Sequence, residues 1–156
     1  MNKDDIAEND SPHYLGHRSR MKEKFLSSDS SGLQDYEILE LMLFSAIPRR
    51  DIRPIAKELI KKFGSLGGVV HADVERLLEV KWMSQSAIVA LKSVREVINR
   101  VLKEQIINKN AISSWSSLLD YLRFNMGAMK VEQFRVLFLN KKNMLICDEV
   151  MATGTI

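Results

Sequence analysis

Apolar positions recur at intervals of three and four residues along most of the chain, which is the spacing of amphipathic helices. The clearest run predicts one long helix: Ala87, Ile88, Leu91, Val94, Ile98, Val101, Leu102 and Ile106. A segment that is almost wholly apolar follows Asp35 and predicts a helix buried nearly all round. Shorter helices are expected at about Tyr14 to Ser27, after an N-cap at Asp51, after Asp73 and from Ser113 or Ser114 to about Asn125. Asp35 is the expected N-cap of its own helix. Pro54 falls in the first turn after Asp51, and Gly64 is expected to end that helix. Leu66 to Val70 is expected to form a turn.

The pattern changes to that of a strand near Val131. Phe134 and Phe138 alternate with Arg135 and Leu137, and both faces are largely apolar, as expected of a strand covered on two sides. The polar segment 140–143 then predicts a hairpin turn, with Arg135 opposite Asp148 in the returning strand. The predicted fold is therefore mainly α, with five or six helices followed by a β-hairpin.

Length and composition suit a folded chain with one full domain and part of another. The chain has 156 residues, of which 46% are apolar and 28% charged, enough for a real core. We expect a disordered acidic tail at 1–13, a helical domain at 14–126 and the start of an incomplete α/β domain at 127–156. A lone hairpin is barely stable in water, so residues 134–150 are expected to self-associate or to bind a downstream fragment.

Several classes of protein are excluded by composition. No apolar stretch approaches the roughly 20 residues that span a bilayer, and the acidic, polar start does not resemble a signal peptide. The single cysteine, Cys147, permits neither an internal disulfide nor a cysteine zinc cluster, which fits a reducing cytoplasm. The sequence therefore predicts a cytoplasmic protein without a membrane segment.

Basic residues are concentrated in the part of the chain predicted to fold. The net charge is +3, yet the first ten residues carry one Lys against four acids, a net of −3, which leaves +6 for the rest. Clustered Lys and Arg side chains neutralise phosphates, although helices also carry such residues on solvated faces. The candidate nucleic-acid-binding residues are Arg18, Arg20, Arg49, Arg50, Arg53, Lys57 and Lys81.

Five segments resemble the bacterial RadC-like proteins: Gly16-His-Arg-Ser-Arg-Met-Lys-Glu-Lys-Phe-Leu26, Asp35-Tyr-Glu-Ile-Leu-Glu-Leu-Met-Leu-Phe44, Ala46-Ile-Pro-Arg-Arg-Asp51, Lys62-Phe-Gly-Ser-Leu66 and Val131-Glu-Gln-Phe-Arg-Val-Leu-Phe-Leu-Asn140. The resemblance implies an N-terminal helical domain with a helix-hairpin-helix-like segment, followed by a metallopeptidase-like domain of the JAMM/MPN type. Such proteins are named for DNA repair. We expect the second domain to be truncated here.

The resemblance also implies a zinc chemistry that this chain does not complete. In a full JAMM domain, two His of a His-x-His-Pro segment and a downstream Asp hold zinc, and a Glu acts as acid/base on the bound water. Glu132 matches that Glu, but the three ligands do not occur in these 156 residues. We expect no zinc in this chain, an idle Glu132 and no independent hydrolase activity.

The helix-hairpin-helix segment departs from the family pattern as well. Glycines usually stand in its turn, because they allow backbone N–H groups to approach a phosphate closely. This chain has Trp82 and Ser84 at those places. Lys81 and the amides that open the long helix remain for phosphate contact, and Trp82 is expected to cap the core.

The three histidines and the single cysteine are further candidates for sites. His13 and His17 have the i, i+4 spacing of a metal-binding pair, but Tyr14 stands where a zincin carries its acid. Cys147 lies in a predicted strand without a neighbouring His, which indicates a small apolar residue. His71 is isolated and is expected at the surface.

Two hypotheses of function follow from these observations. The first is a non-catalytic nucleic-acid- or protein-binding module that binds DNA weakly and without sequence preference. The second is one piece of a split metallopeptidase-like enzyme, completed by a separate downstream product that supplies the zinc ligands.

Overall fold

The computed structural model describes residues 13–27, 32–107, 109–111, 113–127 and 131–154. Within these ranges the elements are α1 (His13–Ser27), α2 (Asp35–Leu43), α3 (Arg53–Phe63), α4 (Leu66–His71), α5 (Val74–Leu78), α6 (Gln85–Glu104), α7 (Trp115–Met126), β1 (Gln133–Leu139) and β2 (Leu145–Thr153). The prediction of a mainly helical chain with a C-terminal antiparallel hairpin is confirmed. The predicted disordered tail lies almost wholly outside the described residues.

The chain divides into two compact units, residues 1–91 and 92–156, and the division falls within α6. The first unit has a core of side chains from α1 to the first turns of α6. Its largest fully buried apolar members are Leu39, Leu43, Ile52, Leu59, Val69, Leu77, Val80 and Leu91. Each such side chain contributes about 1.5 to 3 kcal/mol by leaving water, so the core accounts for the helical packing of this unit.

Helix ends in the first unit show where sequence signals succeed and fail. Gly64 ends α3 in the left-handed conformation (φ 87°), and Pro54 stands in the first turn of α3, both as expected. Residues 66–70 form most of α4 and not a turn: the Ser65 hydroxyl accepts a hydrogen bond from the Gly68 amide at 3.0 Å. This side-chain cap starts a helix despite two glycines, and burial of Val69 and Val70 stabilises it.

The predicted N-caps of α2 and α3 are each displaced by one residue. Gln34 caps α2, so Asp35 is the first helical residue, and Glu37 accepts a hydrogen bond from the Gln34 amide at 2.9 Å. Ile52 occupies the N-cap of α3, while the Asp51 carboxylate accepts a hydrogen bond from the Arg53 amide at 3.0 Å. In both cases the acid still stabilises the positive end of the helix.

The second unit has a small core between α7, the segment after α6 and the inner face of the hairpin. It comprises Ile106, Ala111, Leu118, Tyr121 and Leu145, with Leu102, Leu122 and Leu137 packed against them. Single β-bridges join Ile107 to Leu145 and Asn110 to Met144. The hairpin is therefore anchored by its turn end to the segment that links the two helices.

The register of the hairpin differs from the predicted one. Arg135 lies opposite Val150, and Leu137 lies opposite Asp148. The turn contains five residues instead of four, and a register shift between Phe138 and Leu139 adds another residue to β2. Between Arg135 and Phe138 the two added residues keep the paired side chains on their predicted faces, so Arg135 and Asp148 still share a face.

Candidate nucleic-acid interface

Arg50 and Trp82 meet at the surface of the first unit, although 32 positions separate them in the sequence. Arg50 lies in the turn between α2 and α3, and Trp82 in the turn between α5 and α6. The Arg50 guanidinium carbon lies 3.5 Å from the centroid of the indole, and the Lys81 ammonium lies 5.0 Å from it. Each cation is attracted by the π-face, an interaction of about 0.5 to 1 kcal/mol at exposed sites.

The backbone is unusual at both turns. Arg49 has φ 62° and Trp82 has φ 71°, a left-handed conformation that bulky residues rarely adopt. Trp82 thus takes a conformation that suits the glycine expected at its place. The prediction that Trp82 caps the core is wrong: 49% of the residue is exposed, and the neighbouring Met83 is buried in the core instead.

The start of α6 lies directly after this turn. Ser84 caps the helix: its hydroxyl accepts a hydrogen bond from the Ala87 amide at 3.3 Å, and its carbonyl accepts one from the Ile88 amide at 3.0 Å. The positive end of the helix dipole therefore lies next to Lys81 and Trp82. Together these groups form one surface. Arg50 and Lys81 give it positive charge, and Trp82 gives it an exposed aromatic ring.

Arg18 supports this surface from beneath. Its guanidinium donates hydrogen bonds to the carbonyls of Phe44, Ile47 and Arg50, at 2.7, 2.6 and 2.9 Å. These three carbonyls belong to the turn that follows α2 and that presents Arg49 and Arg50. Arg18 therefore holds the shape of that turn from α1.

Arg53 is partly engaged by a buried carboxylate that the sequence analysis did not identify. The Glu40 side chain is fully buried; His17 Nε2 lies 2.5 Å from its Oε2, and Arg53 Nε lies 3.4 Å from its Oε1. A buried carboxylate requires such partners, because it loses its hydration. His17 is therefore engaged by Glu40 across α1 and α2, and the His13 side chain lies outside the described residues. The sequence did contain a signal for this buried carboxylate. Glu40 lies in an apolar run of α2, and a single acid in such a run is buried together with its apolar neighbours.

The remaining predicted basic residues are distributed over other parts of the first unit. Lys57 is exposed on α3, with its ammonium 5.0 Å from the centroid of the Tyr36 ring. Arg20 is exposed on α1, and Arg49 is exposed beside Arg50. The structure thus brings Arg50 and Lys81 together over one aromatic ring, with Arg49 adjacent in the chain.

Asp148 is the centre of a charged cluster in the second unit. Its side chain is 5% exposed and accepts hydrogen bonds from Arg135, from the Tyr121 hydroxyl at 2.9 Å and from the Lys103 ammonium at 3.4 Å. Burial alone would raise the pKa of Asp148, but the Tyr121 hydrogen bond and the charges of Arg135 and Lys103 outweigh it and lower the pKa. Burial, and then the hydrogen bond to Asp148, raise the pKa of Tyr121 to about 12.

The Asp148 cluster is structural in its chemistry. Tyr121 stays neutral at ordinary pH with so high a pKa, and Asp148 stays ionised with its oxygens occupied by donors. The cluster joins α6, α7 and both strands, and the Asn125 amide adds a 2.8 Å hydrogen bond to Asn99 between the two helices. Such a network fixes the position of the hairpin on α7.

Glu132 lies just before β1 and is exposed, and its backbone carbonyl accepts a hydrogen bond from the Gly154 amide at 3.0 Å. In the part of the chain that the structure describes, no three His, Cys, Asp or Glu residues group together as metal ligands. Cys147 is half-buried. None of the described helices is long and apolar enough to cross a membrane.

Comparison with known proteins identifies the family. Residues 112–156 match the family model described as the RadC-like JAB domain. The chain is 42% identical over 146 residues to a UPF0758 protein of Ruegeria pomeroyi, covering 93% of this chain and 65% of that protein. It is 42% identical over 136 residues to a UPF0758 protein of Rhodobacter capsulatus, covering 87% of this chain and 64% of that one.

The chain therefore spans slightly less than two thirds of the length of these two relatives. No solved structure matches it. The second relative, like the first, aligns over most of this chain, well beyond the segment that matches the RadC-like JAB domain. The chain belongs to the RadC-like family.

Proposed function

We propose that the first unit is a non-catalytic nucleic-acid-binding module that contacts phosphates weakly and without sequence preference. The observation that carries this proposal is the stack of Arg50 on the exposed ring of Trp82, with Lys81 on the same ring. Two cations held beside an aromatic ring combine charge for a phosphate with a flat surface for a sugar or base.

Side-chain cations, more than backbone amides, carry the proposed phosphate contact. In a helix-hairpin-helix turn the glycines let amides approach the phosphate, whereas Trp82 carries a large side chain in this turn. Arg49, Arg50 and Lys81 are exposed and supply the positive charge. Arg18 and Arg53 act indirectly, since Arg18 holds the turn of Arg50 and Arg53 pairs with Glu40. We also propose a cytoplasmic location for the protein.

Charge reversal tests this proposal. We expect Arg49→Glu with Arg50→Glu to weaken binding of a fluorescein-labelled DNA by at least about tenfold, because two phosphate contacts are replaced by repulsion. The matched control is Lys141→Glu with Lys142→Glu, which makes the same change in net charge on the exposed hairpin turn and should leave the affinity within about twofold. Equal effects of both pairs would mean that no defined surface binds DNA, and the protein-binding alternative would replace the proposal.

A second candidate function is one part of a split metallopeptidase-like enzyme. It is favoured by the match of residues 112–156 to the RadC-like JAB domain and by an exposed apolar hairpin face. Phe134 and Phe138 lie on the face opposite to Arg135 and Leu137, and they are 57% and 41% exposed. A downstream fragment or a second copy of the chain would cover this face.

The described residues do not form a zinc site. We therefore assign no catalytic step to Glu132 in this chain. In the split-enzyme hypothesis the zinc ligands would come from the other product, and mixing the two chains would be required for any hydrolysis.

A further inference from the structure

We propose that Trp82 stacks on an unpaired base, so that nucleic acid with a single-stranded segment is the preferred ligand of the Arg50–Trp82 surface. This inference rests on the proposed function and specifies its ligand. Single-strand-binding surfaces combine cations that follow the backbone with aromatic rings on which bases stack, and both occur here.

The position of Trp82 is the first support for this inference. Trp82 is 49% exposed, while the residues on either side of it in the turn, Val80 and Met83, are buried at 1% and 7% exposure. The left-handed backbone at Trp82 (φ 71°) directs consecutive residues to different environments. A large aromatic residue rarely adopts a backbone conformation that favours glycine. The exposed side chain of Trp82 adds nothing to the packing of the core.

The neighbours of Trp82 are the second support. The Arg50 guanidinium stacks 3.5 Å from the ring centroid, and the backbone carbonyl of Arg50 accepts a hydrogen bond from Arg18 at 2.9 Å. The ring therefore rests against a cation whose own turn is fixed. A base stacked on the exposed part of the indole would place its phosphates near Arg50 and Lys81.

Duplex DNA fits this turn less well than single-stranded DNA does. The bases of a duplex are paired and stacked, so their faces are not accessible to an indole. The Trp82 side chain also keeps a duplex phosphate from the backbone amides that a glycine turn would offer. Trp82 in place of a glycine thus weakens the site for a duplex and provides a surface on which an unpaired base can stack.

The test uses the fact that the chain has two tryptophans, Trp82 and Trp115. In the full chain with Trp115→Phe, the fluorescence of Trp82 is followed during titration with an oligothymidine of about 16 nucleotides, a length within the known site sizes, and with a duplex of equal length at the same salt. We expect strong quenching by the single strand and an affinity for it at least about fivefold above that for the duplex.

The control variant is Trp82→Gly, because glycine suits the φ of 71° and should preserve folding, which circular dichroism verifies. We expect it to lose about 5- to 150-fold in single-strand affinity, the range for one stacked base, and to bind duplex as well as before or better. Salt-dependent binding without quenching or single-strand preference would overturn this inference and leave the proposed function standing. Absence of binding to either ligand at low salt would overturn both.

Discussion

The hydroxyl of Tyr121 donates a hydrogen bond of 2.9 Å to the carboxylate of Asp148, which ties α7 to the second strand of the hairpin. Arg135 of the first strand and Lys103 of α6 bind the same carboxylate. The hairpin is therefore held by a nearly buried charge as well as by Leu137 and Leu145 in the small core. This explains how two strands with an exposed outer face keep a defined position in the second unit.

Asp148→Asn is expected to destabilise the second unit. Arg135 is only 13% exposed and would keep its charge without a charged partner, which costs about 3 to 5 kcal/mol in buried pairs. Urea unfolding followed by Trp115 fluorescence, in a Trp82→Phe background, measures the change. The control Glu149→Gln removes the next, exposed acid and should stay within about 0.5 kcal/mol. Equal effects of the two changes would show that the cluster contributes nothing specific.

The stability of the second unit should depend on pH at both ends of the scale. The folded state lowers the pKa of Asp148 below 3.8, so its contribution is complete above that pH and is lost as the pH falls through the folded pKa. The folded state raises the pKa of Tyr121 from 10.0 to about 12, so its contribution is complete below pH 10 and is lost as the pH rises toward 12. Thermal unfolding across this range should show both declines.

Tyr121→Phe serves as the control for the alkaline decline. It removes the ionisable hydroxyl and keeps the ring in the core. The midpoint temperature of unfolding should therefore fall less than that of the wild type between pH 10 and 12. A decline that is unchanged in Tyr121→Phe would contradict the assignment to this group.

The supporting residues Arg18 and Glu40 should be distinguishable by stability from Arg49, which we propose contacts phosphate. Arg18→Ala is expected to lower the free energy of unfolding, since three carbonyls lose a charged donor, each worth about 1.5 to 3 kcal/mol. Glu40→Ala should be costly as well, because it leaves Arg53 and His17 without the buried carboxylate. Arg49→Ala removes an exposed side chain and should lower DNA affinity alone. Unfolding curves paired with DNA titrations separate the two classes.

Self-association through the outer face of the hairpin is a separate expectation. Phe134 and Phe138 are exposed on one face of β1, and burial of each would contribute about 1.5 to 3 kcal/mol. Light scattering should show concentration-dependent dimers or larger species, and Phe134→Ser with Phe138→Ser should abolish them. Leu26→Ser, which changes a residue with 84% exposure in α1, away from the hairpin, is the control. A wild-type chain that remains monomeric at high concentration would sink this expectation.

Local signals in the sequence predicted the elements that local chemistry determines. The period of apolar residues located α6, Gly64 marked the end of α3, and the alternation after Val131 located the hairpin. The helix α4 was missed because its two glycines oppose a helix, whereas burial of Val69 and Val70 favours one. Tertiary packing overrode local propensity there.

Contacts between residues that lie far apart in the sequence could not be predicted from the periodicity of apolar residues. Glu40 is buried because His17 and Arg53 come from other helices to bind it, and no spacing rule shows this. Trp82 was expected to cap the core. Its exposure follows from a left-handed backbone at the turn, which cannot be read from the residue type. The family resemblance, in contrast, could be recognised from five segments alone.

The salt dependence of DNA binding tests the central claim most directly. If Arg49, Arg50 and Lys81 each neutralise one phosphate, a plot of log affinity against log salt concentration should have a slope of about −2 to −3, from about −0.7 per contact on a single strand to −0.9 on a duplex. Arg49→Glu with Arg50→Glu should reduce the slope to about −0.7 to −0.9, the contribution of the remaining Lys81 contact, and Lys141→Glu with Lys142→Glu should leave it unchanged. An affinity that is insensitive to salt in the wild type, or a slope unaffected by the Arg49 and Arg50 changes, would contradict the account.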